Sequence, residues 1–201
     1  MSRAATRAVT GRPGRPAAAT RAAALALARK RFISGERVDV QAIARELGLA
    51  RATMHRWFGT RELLLGEVLA ELGEQRLAAI RRQAQGEGGA ALLDCFDRFN
   101  RELASTPGMV ALLAQEQDRA LRILTSSGGV VQPRMVAAIQ RLIDAEVSAG
   151  TFVPRISPPT LAYAIVRLAE SFLYNDAIVG MRGDSDRLRE VEAALLDQPI
   201  D

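Results

Sequence analysis

One cysteine and one histidine are all that 201 residues offer to soft-metal or imidazole chemistry, and that scarcity excludes a Cys/His zinc site at once. A His-Glu-x-x-His run is also missing. The glycine cluster from Gly86 to Gly89 joins two helical stretches without the Lys-Ser/Thr that a phosphate-binding loop requires. Asp94 and Asp97 are spaced for one helix face, where solvated surface is the expected account. Cys95 falls between Leu93 and Phe96 on a helical pattern, as a core thiol does. No catalytic residue, metal or cofactor is expected, and the chain does not read as an enzyme.

Long apolar runs are absent too. The most membrane-like stretch, Leu161 to Tyr174, is interrupted by Arg167 and Glu170 and is too short to span a bilayer. The N-terminus lacks the apolar centre of a secretion signal, so a cytoplasmic location is expected. No internal repeat is visible and no segment alternates as a strand. With 48% hydrophobic residues the chain has enough apolar material for a sizeable core, and the fold expected for it is all-α.

Helical periodicity divides the sequence as follows. A helix is predicted from Thr20 to Phe32, a short one from Asp39 to Leu47, another through Thr53 to Phe58, and a long one from Thr60 to about Gln85. Ala90 to Ser105 follows, stopped by Pro107-Gly108. Met109 to Ser126 reads as one bent or two short helices, and Val131 to Ala149 is closed by Gly150. Pro159 to Val179 and Ser185 to Leu196 complete the set.

The segment from Asp39 to Phe58 carries the strongest signal. Asp39 is a good N-cap, Ile43, Ala44 and Leu47 share one face, and Gly48 can take the positive φ that ends the helix. The helix after the turn buries Met54 and Phe58. Arg51, Thr53, His55, Arg56 and Trp57 are left outward, with Gln41 on the preceding helix. Guanidinium, hydroxyl, imidazole and indole groups gathered on one short helix suit phosphates and base edges in a DNA groove. Charge supports this end of the chain: residues 1–66 hold thirteen Lys/Arg against four acids, a net of +9, which leaves −5 for the remainder of a chain whose total is +4. A merely Arg-rich, solvated surface is the plain alternative.

The order of parts from Thr20 to Leu72, with Gly59-Thr60-Arg61-Glu62-Leu63-Leu64 opening the fourth helix, resembles the tetracycline-repressor (TetR) family of one-component regulators. The resemblance implies that Arg51, Ala52, Thr53, His55 and Trp57 face the operator and that Arg61 holds a backbone phosphate. His55 and Trp57 stand where the family usually has tyrosine and histidine, so the half-site cannot be borrowed from relatives. Ala50 replaces the common Ser/Thr cap, which weakens the start of the helix by up to ~1 kcal/mol unless a phosphate takes over its free N–H groups. A narrower similarity, in the recognition segment, Gln115 to Ser126 and Leu161 to Arg167, is to the QsdR-like subgroup of quorum-signal lactone degradation regulators.

These readings divide the chain into a basic arm (1–18), a helix-turn-helix head (19–66) and a regulatory and dimerisation body (67–201). In the body, Leu161, Ile165, Leu168 and Phe172 form one apolar stripe and Ala162, Val166, Ala169 and Leu173 an adjacent one. A helix apolar on two sides must be covered on two sides, by its own core and by a second copy, with Leu188, Val191 and Leu195 joining the interface of a homodimer. The alternative is the central helix of a monomer. Phe96, Phe99, Met109, Leu113, Met135, Ile139, Tyr163 and Tyr174 are adaptable apolar or aromatic residues, and Arg122, Arg167 and Glu170 are polar groups on apolar helices. Together they are the candidate pocket for a small-molecule effector, which the resemblance implies to be a lactone or acyl-chain compound. Arg167 and Glu170, three apart, read first as an ion pair within the chain or across a dimer, and second as a ligand contact.

Before the first helix, Gly11-Arg12-Pro13-Gly14-Arg15-Pro16 repeats Gly-Arg-Pro twice. Proline fixes an extended path and glycine permits close approach, so Arg12 and Arg15 fit a narrow A·T-rich minor groove; a basic tail that adds only counterion-release affinity fits equally well. The function expected is a ligand-responsive homodimeric repressor on a palindromic operator, the alternative an effector-free architectural DNA binder. Deleting residues 1–16 should weaken binding selectively on duplexes with A·T-rich flanks, as read by fluorescence anisotropy at fixed salt; equal loss on every duplex supports the tail.

Overall fold

Capping accounts for where the first helices start. In the computed structural model, which describes residues 20–175 and 184–200, Thr20 Oγ1 accepts from the Ala23 N–H at 3.1 Å to open α1 (Arg21–Ile33). Asp39 Oδ1 accepts from Gln41 and Ala42 at 2.7 and 3.0 Å to open α2 (Val40–Glu46). These backbone donors, the one from Ala42 foremost, hold the Asp39 carboxyl below its ordinary pKa. Gly48 takes φ +62°, which a side chain would resist, and turns the chain into α3 (Arg51–Phe58). Thr60 then caps α4 (Arg61–Gln83) through the Leu63 N–H. The Gly-Arg-Pro arm, with Arg12 and Arg15, and the end of the expected 159–179 helix lie outside the described residues.

The rest is a helical body: α5 (Gly88–Ser105), α6 (Pro107–Gln115), α7 (Gln117–Thr125), α8 (Val131–Ser148), α9 (Pro158–Glu170) and α10 (Ser185–Leu195). The Met109–Ser126 region is two helices, broken at Glu116, whose φ of −140° and ψ of 46° leave the α region. After Glu170 the chain widens into a π-helical turn, Ser171–Asn175. No strand occurs among the described residues, and none of their helices is long and apolar enough to cross a membrane.

Two apolar cores meet along α4. Its first half sends Leu64, Leu65, Val68 and Leu69 into a core shared with Phe32, Ile43, Met54 and Phe58 on one side and Met109, Leu112, Ile123 and Leu124 on the other. Its second half sends Leu77 and Ile80 into a core with Leu92, Phe96, Ile143, Leu161 and Ile165. The first core therefore runs without a break from the helix-turn-helix into α6 and α7. Where the ends of α4 and α8 meet the start of α5, the buried Glu146 carboxylate accepts from the Gly88 N–H and the Thr151 hydroxyl, each at 2.7 Å, and pairs with Arg81. Burial alone would raise its pKa; these partners outweigh burial and hold it low.

Where α1 ends, it lies directly on α6. A Cβ added at Gly108 would sit 2.0 Å from the Phe32 carbonyl oxygen, so only glycine lets the two backbones touch. Gly108→Ala should force this seam apart and cost about 1–3 kcal/mol, the range for an overpacked interior, measured by urea denaturation. An unchanged midpoint would mean that the contact between α1 and α6 is not held tightly.

Candidate nucleic-acid interface and interior cavity

What fixes α3 is apolar, and what it presents is polar. Met54 and Phe58 are buried against α2 and α4, while Arg51, Ala52, His55 and Arg56 are exposed and Thr53 is half-exposed. Trp57 is half-buried, edge-on to Phe58 with ring centroids 6.4 Å apart and planes at 89°, so much of the indole serves packing. Arg21 of α1 stacks over the Phe58 ring at 4.8 Å and pairs with Glu67 of α4, tying three helices together behind the exposed face. Ala50 supplies no side-chain cap. Gln41 is exposed on α2, at its second position.

Among the described residues the head arginines fall into two groups. Arg21 and Arg31 are each in an ion pair, with Glu67 and Glu46, and Arg37 and Arg61 both pair with Glu116. Arg29 on α1, Arg45 on α2, and Arg51 and Arg56 on α3 are in none, and the last two share the outer face of one helix. Two solvated cations flanking a hydroxyl and an imidazole on one rigid helix are equipped to meet phosphates and base edges.

Arg61, expected to hold a backbone phosphate, also has partners within the chain. Its Nε donates to the Val38 carbonyl at 2.6 Å, and its two terminal nitrogens donate to both oxygens of Glu116 at 2.7 and 2.8 Å. Three of the five guanidinium N–H groups are thus taken by acceptors inside the protein. Arg119 also reaches Glu116 at 3.1 Å and Glu62 at 2.9 Å, and Arg37 lies 3.6 Å from Glu116. Burial by itself raises the Glu116 pKa, but the hydrogen bonds from Arg61 and Arg119, with the charges of Arg61 and Arg37, hold it below the ordinary value.

Within the body lies a cavity of about 290 Å³. Of the expected pocket residues, Phe96, Phe99, Met109, Met135, Ile139, Glu170 and Tyr174 line it. Four others do not. Leu113 packs against the first core, Arg122 is exposed on α7, Tyr163 is 51% exposed on the outside of α9, and Arg167 turns outward to Glu170 at 2.7 Å and toward the Thr125 carbonyl. Arg167 and Glu170 are therefore an ion pair within one helix, of which only the acid reaches the cavity. Asn100, Gln132 and Glu192 line it too and were not expected. A signal did exist: Glu192 sits four residues after Leu188 and four before Leu196, an acid inside an otherwise apolar stripe.

These polar groups form two pairs. Gln132 Nε2 donates to both oxygens of Glu170 at 3.1 and 3.2 Å; Asn100 Nδ2 donates to both oxygens of Glu192 at 3.1 and 3.3 Å. Burial raises the Glu170 carboxyl against the opposing pull of Gln132 and Arg167. It pushes Glu192 up to about 8, helped by the charge of Asp97 and opposed by the Asn100 amide and Arg189. Burial also raises the Tyr174 hydroxyl. Cys95 is buried, its thiol pushed up to about 11 by desolvation, which makes it inert.

The expected dimer stripe is also redistributed. Leu161, Ile165 and Leu188 are buried within the chain itself, so they are not available to a second copy. Leu168, Phe172 and Leu195 are half-buried, and Val191 is 36% exposed. Two adjacent apolar stripes cannot say which of them faces inward; α9 buries Ala162 and Val166 together with Leu161 and Ile165, and turns Tyr163 and Arg167 out.

A helix-turn-helix head built into an all-α body with an apolar cavity defines a regulator of the DNA-binding kind. The chain belongs to the tetracycline-repressor-like family: residues 87–197 match its C-terminal domain, described as tetracyclin repressor-like. Its members are DNA-binding regulators, not enzymes. Among solved structures, it is similar to the R. erythropolis transcriptional repressor QsdR from the TetR family, with 28% identity over 90% of this chain and 96% of that one and a TM-score of 0.83. More distant are the TetR family transcriptional regulator PfmR from Thermus thermophilus (21% identity, 87% and 97% covered, TM-score 0.41) and Mycobacterium smegmatis AmtR (17% identity, 94% and 92% covered, TM-score 0.40). No curated protein matches the chain.

Glu192 gives a pH prediction. Its pKa rises from an ordinary 4.5 to about 8 on folding, so the folded chain holds a proton that the unfolded chain has lost as pH climbs between those values. Folding stability should fall across that window for the wild type but not for Glu192→Gln. The variant should therefore gain on the wild type by a few kcal/mol, on the order of the linkage energy, between pH 5 and pH 8 in urea titrations. A difference independent of pH would contradict this.

Proposed function

We propose that the chain is a homodimeric, sequence-specific transcriptional repressor that releases a palindromic operator when a small apolar effector enters the body cavity. The observation that carries the reading is the outer face of α3, where Arg51 and Arg56 are unpaired among the described residues while Thr53 and His55 stand between them on a helix fixed from behind by Met54 and Phe58. Gln41 adds a polar group from α2. The similar R. erythropolis protein is a transcriptional repressor, which supports repression as the mode of action.

A single eight-residue reading helix offers few base contacts. Two copies related by a two-fold axis double them and demand an inverted repeat. Tyr163, Leu168, Phe172, Val191 and Leu195, on α9, the turn after it and α10, are the apolar surface assigned to that contact. Function divides the chain into an arm (1–18), a head (19–66) and a body (67–201). The effector is a lactone or acyl-chain compound held among Phe96, Phe99, Met109, Met135, Ile139 and Tyr174, and the protein works in the cytoplasm.

Thr53→Ala and His55→Ala test the reading on the duplex that the wild type selects from a random pool. Each should cost about 1–3 kcal/mol on that duplex, leave binding to unselected DNA unchanged, and preserve helicity by circular dichroism. Equal loss on both kinds of DNA would mean that α3 does not read bases and would favour the architectural alternative.

A further inference from the structure

The interior acids bear on what the cavity admits. Arg76 and Glu102, an ion pair in its lining, are nearly half-exposed and neutralise each other. Glu170 is deeper, and its charge is already matched by Arg167 at 2.7 Å. Glu192 is different: it is 1% exposed, and the hydrogen bonds it makes among the described residues come from one neutral amide, Asn100. The charges acting on it from a distance, Asp97 on α5 and Arg189 on α10, are opposite in sign.

We propose that the cavity admits an apolar molecule whose buried end is an uncharged hydrogen-bond acceptor, an ester, lactone or amide carbonyl, and rejects the corresponding carboxylate, with Asn100 and Glu192 making the discrimination. The inference rests on the effector reading of the cavity. A carboxyl this buried keeps its proton at neutral pH and so presents an O–H. A carbonyl oxygen accepts from that O–H or from the Asn100 amide, and no charge has to be created. A carboxylate must either keep its charge in an apolar cavity whose lining arginine is already paired with Glu102, or take up a proton itself, and both are costly. An ammonium group would need Glu192 ionised in the same apolar surroundings, since the negative charge of Glu170 is already used.

Methyl decanoate, decanoate and decylamine share a chain and differ at one end, so calorimetric titration of the full-length protein with each separates the cases. At neutral pH the ester should bind about tenfold or more tightly than decanoate, the equivalent of roughly 1.4 kcal/mol. Glu192→Gln removes the acid, so the handicap of decanoate relative to the ester should shrink. Decanoate or decylamine binding the wild type as tightly as the ester would overturn the proposal without any variant having to fold. A large bulk at Leu72, on the cavity wall, localises the effect: binding that survives Leu72→Trp lies elsewhere and defeats the effector reading as well, whereas a reversed order that Leu72→Trp abolishes defeats only the acceptor proposal.

Discussion

Glu116 is where the helix-turn-helix part of the molecule is fastened to the rest. The helical path breaks at this residue, and the break delivers its carboxylate to the first turn of α4, where Arg61 grips both oxygens. A bidentate pair fixes orientation as well as distance, which a point contact would not. Arg119 then ties the same carboxylate and Glu62 together, and Arg61 reaches back to the Val38 carbonyl ahead of α2. Beside this joint, Gly108 brings α6 against the end of α1, and the apolar core continues through the gap. Head and body are thereby coupled through α6 and α7 by a charged clamp, a backbone contact and a shared core, and through α4 by the Arg21–Glu67 ion pair.

Charge is deployed in three ways along the chain. Arginines that hold helices together are paired: Arg21, Arg61, Arg81 and Arg134 each have a carboxylate on another element. Arg51 and Arg56, on the outer face of α3, are left to solvent. Inside the body, acids sit in apolar surroundings with amides as partners, an arrangement that is poor for stability and useful for selecting a ligand by polarity.

Signals in the sequence are legible where the physics is local. Asp39, Gly48, Met54 and Phe58 lie within twenty residues, and the cap, the turn and the buried pair follow from their side chains alone. Arg61 could not be placed that way, because the partner that occupies it is 55 residues distant and is aimed by a helix break that no propensity marks. The inward stripe of α9 is ambiguous for a related reason: two adjacent apolar stripes have the same periodicity, and packing against α8 chooses between them. The cavity aromatics stood out by size, whereas Asn100 and Glu192 are polar residues that become meaningful only when α5 and α10 bring them together.

The central claim, that α3 reads sequence as one half of a symmetric pair, is tested most directly by sequencing the genomic fragments that the purified protein retains at near-physiological salt. The account predicts enrichment of an inverted repeat whose half-sites lie on one face of the duplex. Retention of A·T-rich DNA without a repeat, or no enrichment at all, would contradict it.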